Sequence, residues 1–151
     1  MSRVLKAAQL SAVETLVAQG RLRAVPFDER RAFGFLEQAE DRLGQLELLT
    51  SEAVKSGIAY DAAHDIGEAL LAWYGYATTN GPGQHAVIGL FLEAVLDTPP
   101  EHAAAAAMFD QARRARNQQN YQGNSPGSAQ AIAVERMART LLAAVKGRGL
   151  R

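Results

Sequence analysis

The sequence predicts an all-α protein, a helical bundle of five or six helices. Apolar residues recur at spacings of three and four along most of the chain, as in Leu36, Ala39 and Leu43. Breaks rich in glycine and proline separate these periodic segments, and no segment shows the apolar–polar alternation typical of a convincing strand. Because the breaks are short, neighbouring helices are expected to pack antiparallel.

Composition indicates one globular unit. The chain has 151 residues, a usual length for a single domain, and 48% of them are hydrophobic. We expect residues 1–25 to form an N-terminal helix and leader, packed as one domain with a helical bundle over residues 26–151. Sixteen basic and sixteen acidic side chains cancel. Any affinity for a polyanion must therefore come from a local patch rather than from a global field.

Several classes of site are excluded by composition. The chain has no cysteine, which excludes disulfides, thiolate nucleophiles and cysteine-based zinc sites. Its three histidines, His64, His85 and His102, are far apart and match no metal-binding spacing, so neither a metal nor another cofactor is predicted. The N-terminal segment lacks the apolar run of a signal peptide, and no stretch approaches the ~20 apolar residues of a membrane helix. The expected location is the cytoplasm, away from membranes.

Helix boundaries follow from start and stop residues. Asp28 is a suitable N-cap, and Thr98 can cap a helix whose first residue is Pro99. Gly20 and Gly57 are expected to end the first two helices. The predicted helices cover residues 3–19, 29–54, 58–74, 84–96, 99 to about 116 or shortly beyond, and 126–146.

Residues 113–121 concentrate arginines, amides and a phenol. On a helix, Arg113, Asn117 and Tyr121 would line up at successive turns, with Arg116 beside them. Guanidinium groups bind phosphate, amides can read base edges, and an aromatic ring can stack on a base. The alternative is an ion-paired or solvated helix end, since basic residues there complement the helix dipole.

Four segments, taken in order, resemble the compact bacterial, toxin-type branch of the HEPN family. They are residues 16–26, 59–71, 75–87 and 113–121. The resemblance implies a bundle of four or five helices that usually forms a homodimer, in which two copies of an arginine–histidine motif meet in a cleft. Active members are metal-independent ribonucleases, often toxins paired with a nucleotidyltransferase antitoxin.

The resemblance also implies roles for individual residues. Arg116 would stabilise charge at the phosphate, and Asn117 would hold an oxygen or the geometry of the motif. Tyr121 occupies the position of the family's histidine; its phenol is a poor base at neutral pH but can donate a proton or a hydrogen bond. A second alignment instead places Arg114 as the motif arginine and Gln119 at the histidine position.

A polar face is predicted on the third helix. Asp61, Asp65 and Glu68 share it, with His64 beside them. Asp61 and Asp65 would orient the arginine cluster, or the face would form salt bridges with neighbouring helices. His85, near a helix start, is expected to cap or pack.

Two functions remain open from the sequence. The first is a HEPN-like RNA-binding or ribonuclease-type protein, in which Arg113 and Arg114 guide the RNA backbone electrostatically. The second is a non-catalytic dimeric module that binds a nucleotidyltransferase or another protein. The missing motif histidine and the zero net charge favour the second. A bundle that binds a small molecule near Trp73 is a less favoured third.

Overall fold

The computed structural model describes residues 3–79, 81–123 and 126–150, and this part of the chain is mainly helical. It contains six α-helices and two short strands, so the predicted all-α bundle is confirmed. Asn80, Asn124 and Ser125, which belong to two predicted loops, lie outside the described residues. The elements are α1 (Ala7–Ala18), β1 (Leu22–Ala24), α2 (Glu29–Gln45), α3 (Glu52–Tyr74), β2 (Tyr76–Thr78), α4 (Gln84–Val95), α5 (Pro100–Gln122) and α6 (Ser128–Gly147).

The boundary between α2 and α3 differs from the prediction. A helix over residues 29–54 was expected, but α2 ends at Gln45 and a 3-10 turn, Leu46–Leu48, follows it. The Ser51 side chain then caps α3 by accepting a hydrogen bond from the backbone N–H of Val54. The sequence did not reveal this break because Leu46, which is buried, continues the apolar spacing of α2. Gly57 lies inside α3 instead of ending a helix.

Two strands were also not predicted. β1 and β2 form an antiparallel pair, with Leu22 opposite Thr78, Arg23 opposite Ala77, and Ala24 opposite Tyr76. Three residues are too few to show an alternating pattern. Beside them, Gly75 ends α3 in the left-handed region (φ +85°), and its carbonyl accepts a hydrogen bond from the Val25 N–H. The pairing of β1 with β2 therefore depends on where the neighbouring helices end.

α3 is the central helix of the bundle. It packs most extensively against α2 and α6 and also contacts α4 and α5. Its buried surface is rich in alanine, which allows close helix approach. At Gly67 an added Cβ would lie 2.3 Å from Cγ2 of Ile88, so the crossing of α3 and α4 requires a glycine. The core forms one cluster that extends from Leu5 to Leu150.

α5 continues to Gln122, beyond the predicted end near Arg116. Gly123, in the left-handed region, closes the helix through a hydrogen bond from its N–H to the carbonyl of Gln119. At the other end, Pro99 is the N-cap residue and Pro100 the first helical residue, so the predicted cap at Thr98 is wrong by one position. Across the described residues, no helix is both long and apolar enough to span a membrane.

Candidate functional site

A cleft of about 420 Å³ opens beside the C-terminal half of α5. One wall is a single face of this helix, because its residues are spaced at i, i+3, i+4, i+7 and i+8. The other wall comes from α3 and from the start of α4. The helix face contributes Arg113, Arg116, Asn117, Asn120 and Tyr121, and the other wall includes Tyr60, Asp61, Gln84 and His85.

Arg116 is held in place by α3. Its Nη1 donates to Oδ1 of Asp61 at 2.7 Å and to the carbonyl of Gly57 at 3.1 Å. Its Cζ also lies 5.5 Å from the centroid of the Tyr60 ring, in cation–π range. Within residues 3–79, 81–123 and 126–150 the hydrogen bonds of this guanidinium all use Nη1, and a bidentate contact of the kind that phosphate favours would use Nε and Nη2.

Asp61 connects three helices. Besides Arg116 on α5, it contacts Arg42 on α2, whose Nη1 lies 3.4 Å from Oδ2. Asp65 was predicted to share the task of orienting the arginine cluster, but the structure places it against Arg42 instead, with Oδ2 2.8 Å from Nε. Burial raises the pKa of Asp65 to about 6, although Arg42 opposes this shift.

Tyr60 fixes the position of His85. The phenol oxygen lies 2.8 Å from Nδ1 of the imidazole, within hydrogen-bond distance. Tyr60 is only 3% exposed, and its ring stacks on Phe109 with 5.3 Å between centroids. Burial raises the pKa of Tyr60 well above its usual range, so the phenol keeps its proton at neutral pH.

Two imidazoles lie close to each other, and one of them, His85, lines the cleft. The ring centroids of His64 and His85 are 4.2 Å apart. Burial lowers the pKa of His64 to about 4, with further lowering from His85, Arg42 and Arg116. Partial burial of the ring and then the Arg116 charge lower the pKa of His85, even though the residue as a whole is exposed. Both rings are therefore neutral at pH 7.

The two arginines predicted to guide RNA are separated by the structure. Arg113 lines the cleft, whereas Arg114 is 72% exposed and does not. Both are paired with Asp110: Nε of Arg113 lies 2.8 Å from Oδ1, and Nε of Arg114 lies 2.9 Å from Oδ2. In the second alignment, neither Arg114 nor Gln119 lines the cleft.

The three residues predicted to be catalytic share the cleft. Arg116 is partly buried, with 28% of its side chain exposed, while Asn117 is exposed. Tyr121 is 86% exposed and lies at the rim. Arg116 and Tyr121 therefore face one cleft but differ in environment: the guanidinium is fixed by partners, and the phenol ring is open to solvent.

Sequence reasoning missed Tyr60, Asn120 and the role of His85. Asn120 could have been found, because it lies seven residues after Arg113 on the same helical face. His85 was expected to cap or pack. Its contact with Tyr60 joins residues 25 apart on different helices, which helical periodicity alone does not indicate.

Other candidate features of the sequence lie away from the cleft. Trp73 is buried and packs edge-on against Phe33, so it does not offer an open aromatic surface. His102 lies 3.4 Å from a guanidinium nitrogen of Arg148. Among residues 3–79, 81–123 and 126–150, no three histidine or carboxylate side chains are grouped closely enough to bind a metal ion.

Comparisons of the chain with protein-family models, with curated proteins and with solved structures find no match.

Proposed function

We propose that this protein is a HEPN-like RNA-binding protein with metal-independent ribonuclease-type activity, and that RNA phosphate binds in the cleft. The observation that carries the proposal is the pairing of Arg116 and His85 in one cleft. Each is fixed by a partner on α3: Asp61 for the guanidinium and Tyr60 for the imidazole. A fixed cation and a neutral imidazole are the two groups that cleavage of a phosphodiester by general base catalysis needs.

The proposed reaction is attack by a ribose 2′-hydroxyl. His85 takes the hydroxyl proton while the O2′–P bond forms and the P–O5′ bond breaks. Arg116 stabilises the charge that develops on the non-bridging oxygens, and water from the open cleft protonates the departing O5′. The hydroxide that this leaves takes the proton from His85 and restores the neutral imidazole. The products are a 2′,3′-cyclic phosphate and a 5′-hydroxyl.

The hydrogen bond to Tyr60 supports the role of His85 as base. With the proton on Nδ1, the imidazole donates to the phenol oxygen and leaves the lone pair of Nε2 for the substrate. The lowered pKa of His85 keeps the ring neutral at physiological pH. Tyr60 thus performs the orienting task that a carboxylate or carbonyl often has for a catalytic histidine.

The remaining parts of the proposal come from the resemblance. By that resemblance the protein forms a homodimer and is the toxin of a toxin–antitoxin system whose antitoxin is a nucleotidyltransferase; the proposed location, the cytoplasm, follows instead from the sequence. Arg113 and Asn117 support the RNA-binding part, because both line the cleft beside Arg116.

The test is cleavage of a labelled single-stranded RNA by the purified protein in EDTA. Wild type is expected to cleave. His85→Gln should lose at least about tenfold in rate while still binding RNA, and Arg116→Lys should lose both rate and affinity because lysine lacks the bidentate fork. Arg30→Lys is the matched control, since Arg30 is exposed on α2 and does not line the cleft. Equal cleavage by wild type and His85→Gln would overturn the proposal.

A second candidate function is a non-catalytic dimeric module that binds a nucleotidyltransferase or another protein. It is favoured by the ion pairs of the arginine cluster, because Arg116 is matched by Asp61 and both Arg113 and Arg114 by Asp110. Such pairing reduces the positive field available to a polyanion. A dimer by sedimentation that binds no RNA even at low salt, where a phosphate site binds best, would favour this function.

A further inference from the structure

Tyr121 differs from the other tyrosines of the chain. Of the four tyrosines, Tyr60 is buried and Tyr74 and Tyr76 are partly buried against the core, whereas Tyr121 is 86% exposed. Its ring therefore contributes little to the stability of the bundle. It stands at the rim of the cleft that contains Arg116 and His85. A large aromatic surface at this place is available to a ligand.

Two amide side chains line the same cleft as the ring. Asn117 lies one helical turn before Tyr121 and Asn120 directly precedes it, and both line the cleft and are exposed. An amide carries both donors and an acceptor, which suits the polar edge of a nucleobase, while the face of a base stacks on a phenol ring. The rim therefore combines the two kinds of contact that hold a base.

The phosphate-binding end of the cleft lies a short distance away. Arg116 and Tyr121 are five residues apart on α5, which corresponds to about 7.5 Å along the helix axis at 1.5 Å per residue. Together with a difference of about 140° around the helix, this axial offset places the guanidinium and the ring at different positions along one cleft. The cleft volume of about 420 Å³ is within the usual range of small-molecule binding sites.

We infer that Tyr121 holds the base of a nucleotide whose phosphate lies at Arg116, so that this nucleotide must be unpaired. The inference rests on the proposed binding of RNA in this cleft. What it adds is a task for Tyr121, that of holding a base.

Base pairing would prevent this mode of binding. In a duplex each base is stacked between its neighbours and its Watson–Crick edge is already hydrogen-bonded, so neither a free face nor a free edge is offered. Extruding a base costs unstacking and unpairing energy, and this cost is absent in a single strand. The proposed stacking on Tyr121 therefore favours an unpaired base.

The experiment uses an RNA oligonucleotide with one internal 2-aminopurine, a fluorescent base that is quenched when it stacks. Binding is measured in the His85→Gln protein, so that the strand stays intact. Quenching is expected on addition of this protein, and also when Tyr121→Phe is introduced, since phenylalanine keeps the ring. Tyr121→Leu should abolish quenching and weaken binding by about tenfold. The same oligonucleotide in a duplex should bind at least about tenfold more weakly.

Two results would overturn the inference: equal binding of single strand and duplex, or quenching that persists in Tyr121→Leu. Circular dichroism of Tyr121→Leu checks that the helix is intact. The outcome is separable from that of the proposed ribonuclease activity. Stacking without any cleavage by wild type would refute the activity and retain the single-strand site, whereas cleavage of duplex RNA at full rate would retain the activity and refute the site.

Discussion

Tyr60 contacts both His85 and Arg116, the two residues to which the proposed chemistry is assigned. Its hydroxyl lies 2.8 Å from Nδ1 of His85, and the guanidinium of Arg116 lies 5.5 Å from the centre of its ring. Its burial against Phe109 prevents it from moving with the exposed imidazole. The buried phenol therefore fixes the position of the His85 ring through Nδ1.

We predict that Tyr60→Phe keeps the ring packing but releases His85. The cleavage rate should fall about tenfold while RNA affinity stays the same, because only the orientation of the base is lost. Nitrogen NMR of the imidazole should show a changed population of the two neutral tautomers. Tyr76→Phe, which removes a phenol outside the cleft, is the control. An unchanged His85 spectrum in Tyr60→Phe would show that the hydrogen bond has no such role.

The residues of one helix that share a face could be predicted from the sequence, but side-chain contacts between different helices could not. Helical spacing alone placed Arg113, Arg116, Asn117 and Tyr121 on a common face, and the structure shows these residues in one cleft. The pairing of Tyr60 with His85 depends on how α3 and α4 cross. This crossing is set by packing that no local pattern encodes.

The crossing of α3 and α4 is fixed at one small residue. Gly67 is buried in α3, and its missing side chain makes room for Ile88 of α4. Since Tyr60 lies two turns before Gly67 and His85 one turn before Ile88, this close approach also brings the phenol and the imidazole together. The site is therefore positioned by a contact between two helices rather than by a loop.

Gly67→Ala is expected to destabilise the protein by about 1–3 kcal/mol, because the added methyl would lie 2.3 Å from the Ile88 side chain and force α4 outward. Gly44→Ala on α2 is the matched control: no atom lies within 4 Å of the added methyl, so the change should stabilise by about 0.5–1 kcal/mol. Chemical denaturation measures both. A Gly67→Ala protein as stable as wild type would contradict the close packing described here.

Prediction of elements succeeded for the helices and failed at their junctions. The break between α2 and α3 was hidden because Leu46 continues the apolar stripe of α2 through the 3-10 turn. The pair of β1 and β2 was hidden because each strand has three residues and forms only where the ends of α1 and α3 meet. Tertiary contacts, not local sequence preference, set both features.

At the scale of the whole molecule, ionisation of the bundle interior links stability to pH. The pKa of His64 falls from 6.5 to about 4 on folding, so the unfolded chain binds its proton more readily. Stability from this group is therefore present above pH 6.5 and is lost as the pH falls towards 4. The raised pKa values of Asp65 and Glu68 act in the opposite sense, since protonation of these carboxyls favours the folded state.

Replacement of His64 should remove its part of this dependence. Between pH 7 and pH 4.5 the stability of His64→Gln is expected to fall less than that of wild type, by a difference on the order of 2 kcal/mol. The contributions of Asp65 and Glu68 are present in both proteins and cancel in the comparison. Urea unfolding at the two pH values measures the difference, and parallel curves for the two proteins would contradict the assignment to His64.

The net charge of the whole chain is zero, but positive charge is concentrated locally at the cleft. Arg113 and Arg116 concentrate positive charge beside a neutral imidazole, although Asp61 and Asp110 offset part of it. Charge composition could not reveal this arrangement. It arises because one face of α5 meets α3 and the start of α4.

The most direct measurement of the central claim is the chemical identity of the ends left on a cleaved strand. Single-stranded RNA treated with wild-type protein in EDTA should carry 2′,3′-cyclic phosphate and 5′-hydroxyl ends by mass spectrometry, and DNA of the same sequence should stay intact because it lacks the attacking hydroxyl. Ends that carry a 5′-phosphate, or equal cleavage of the DNA, would contradict catalysis by His85 and Arg116 through the ribose.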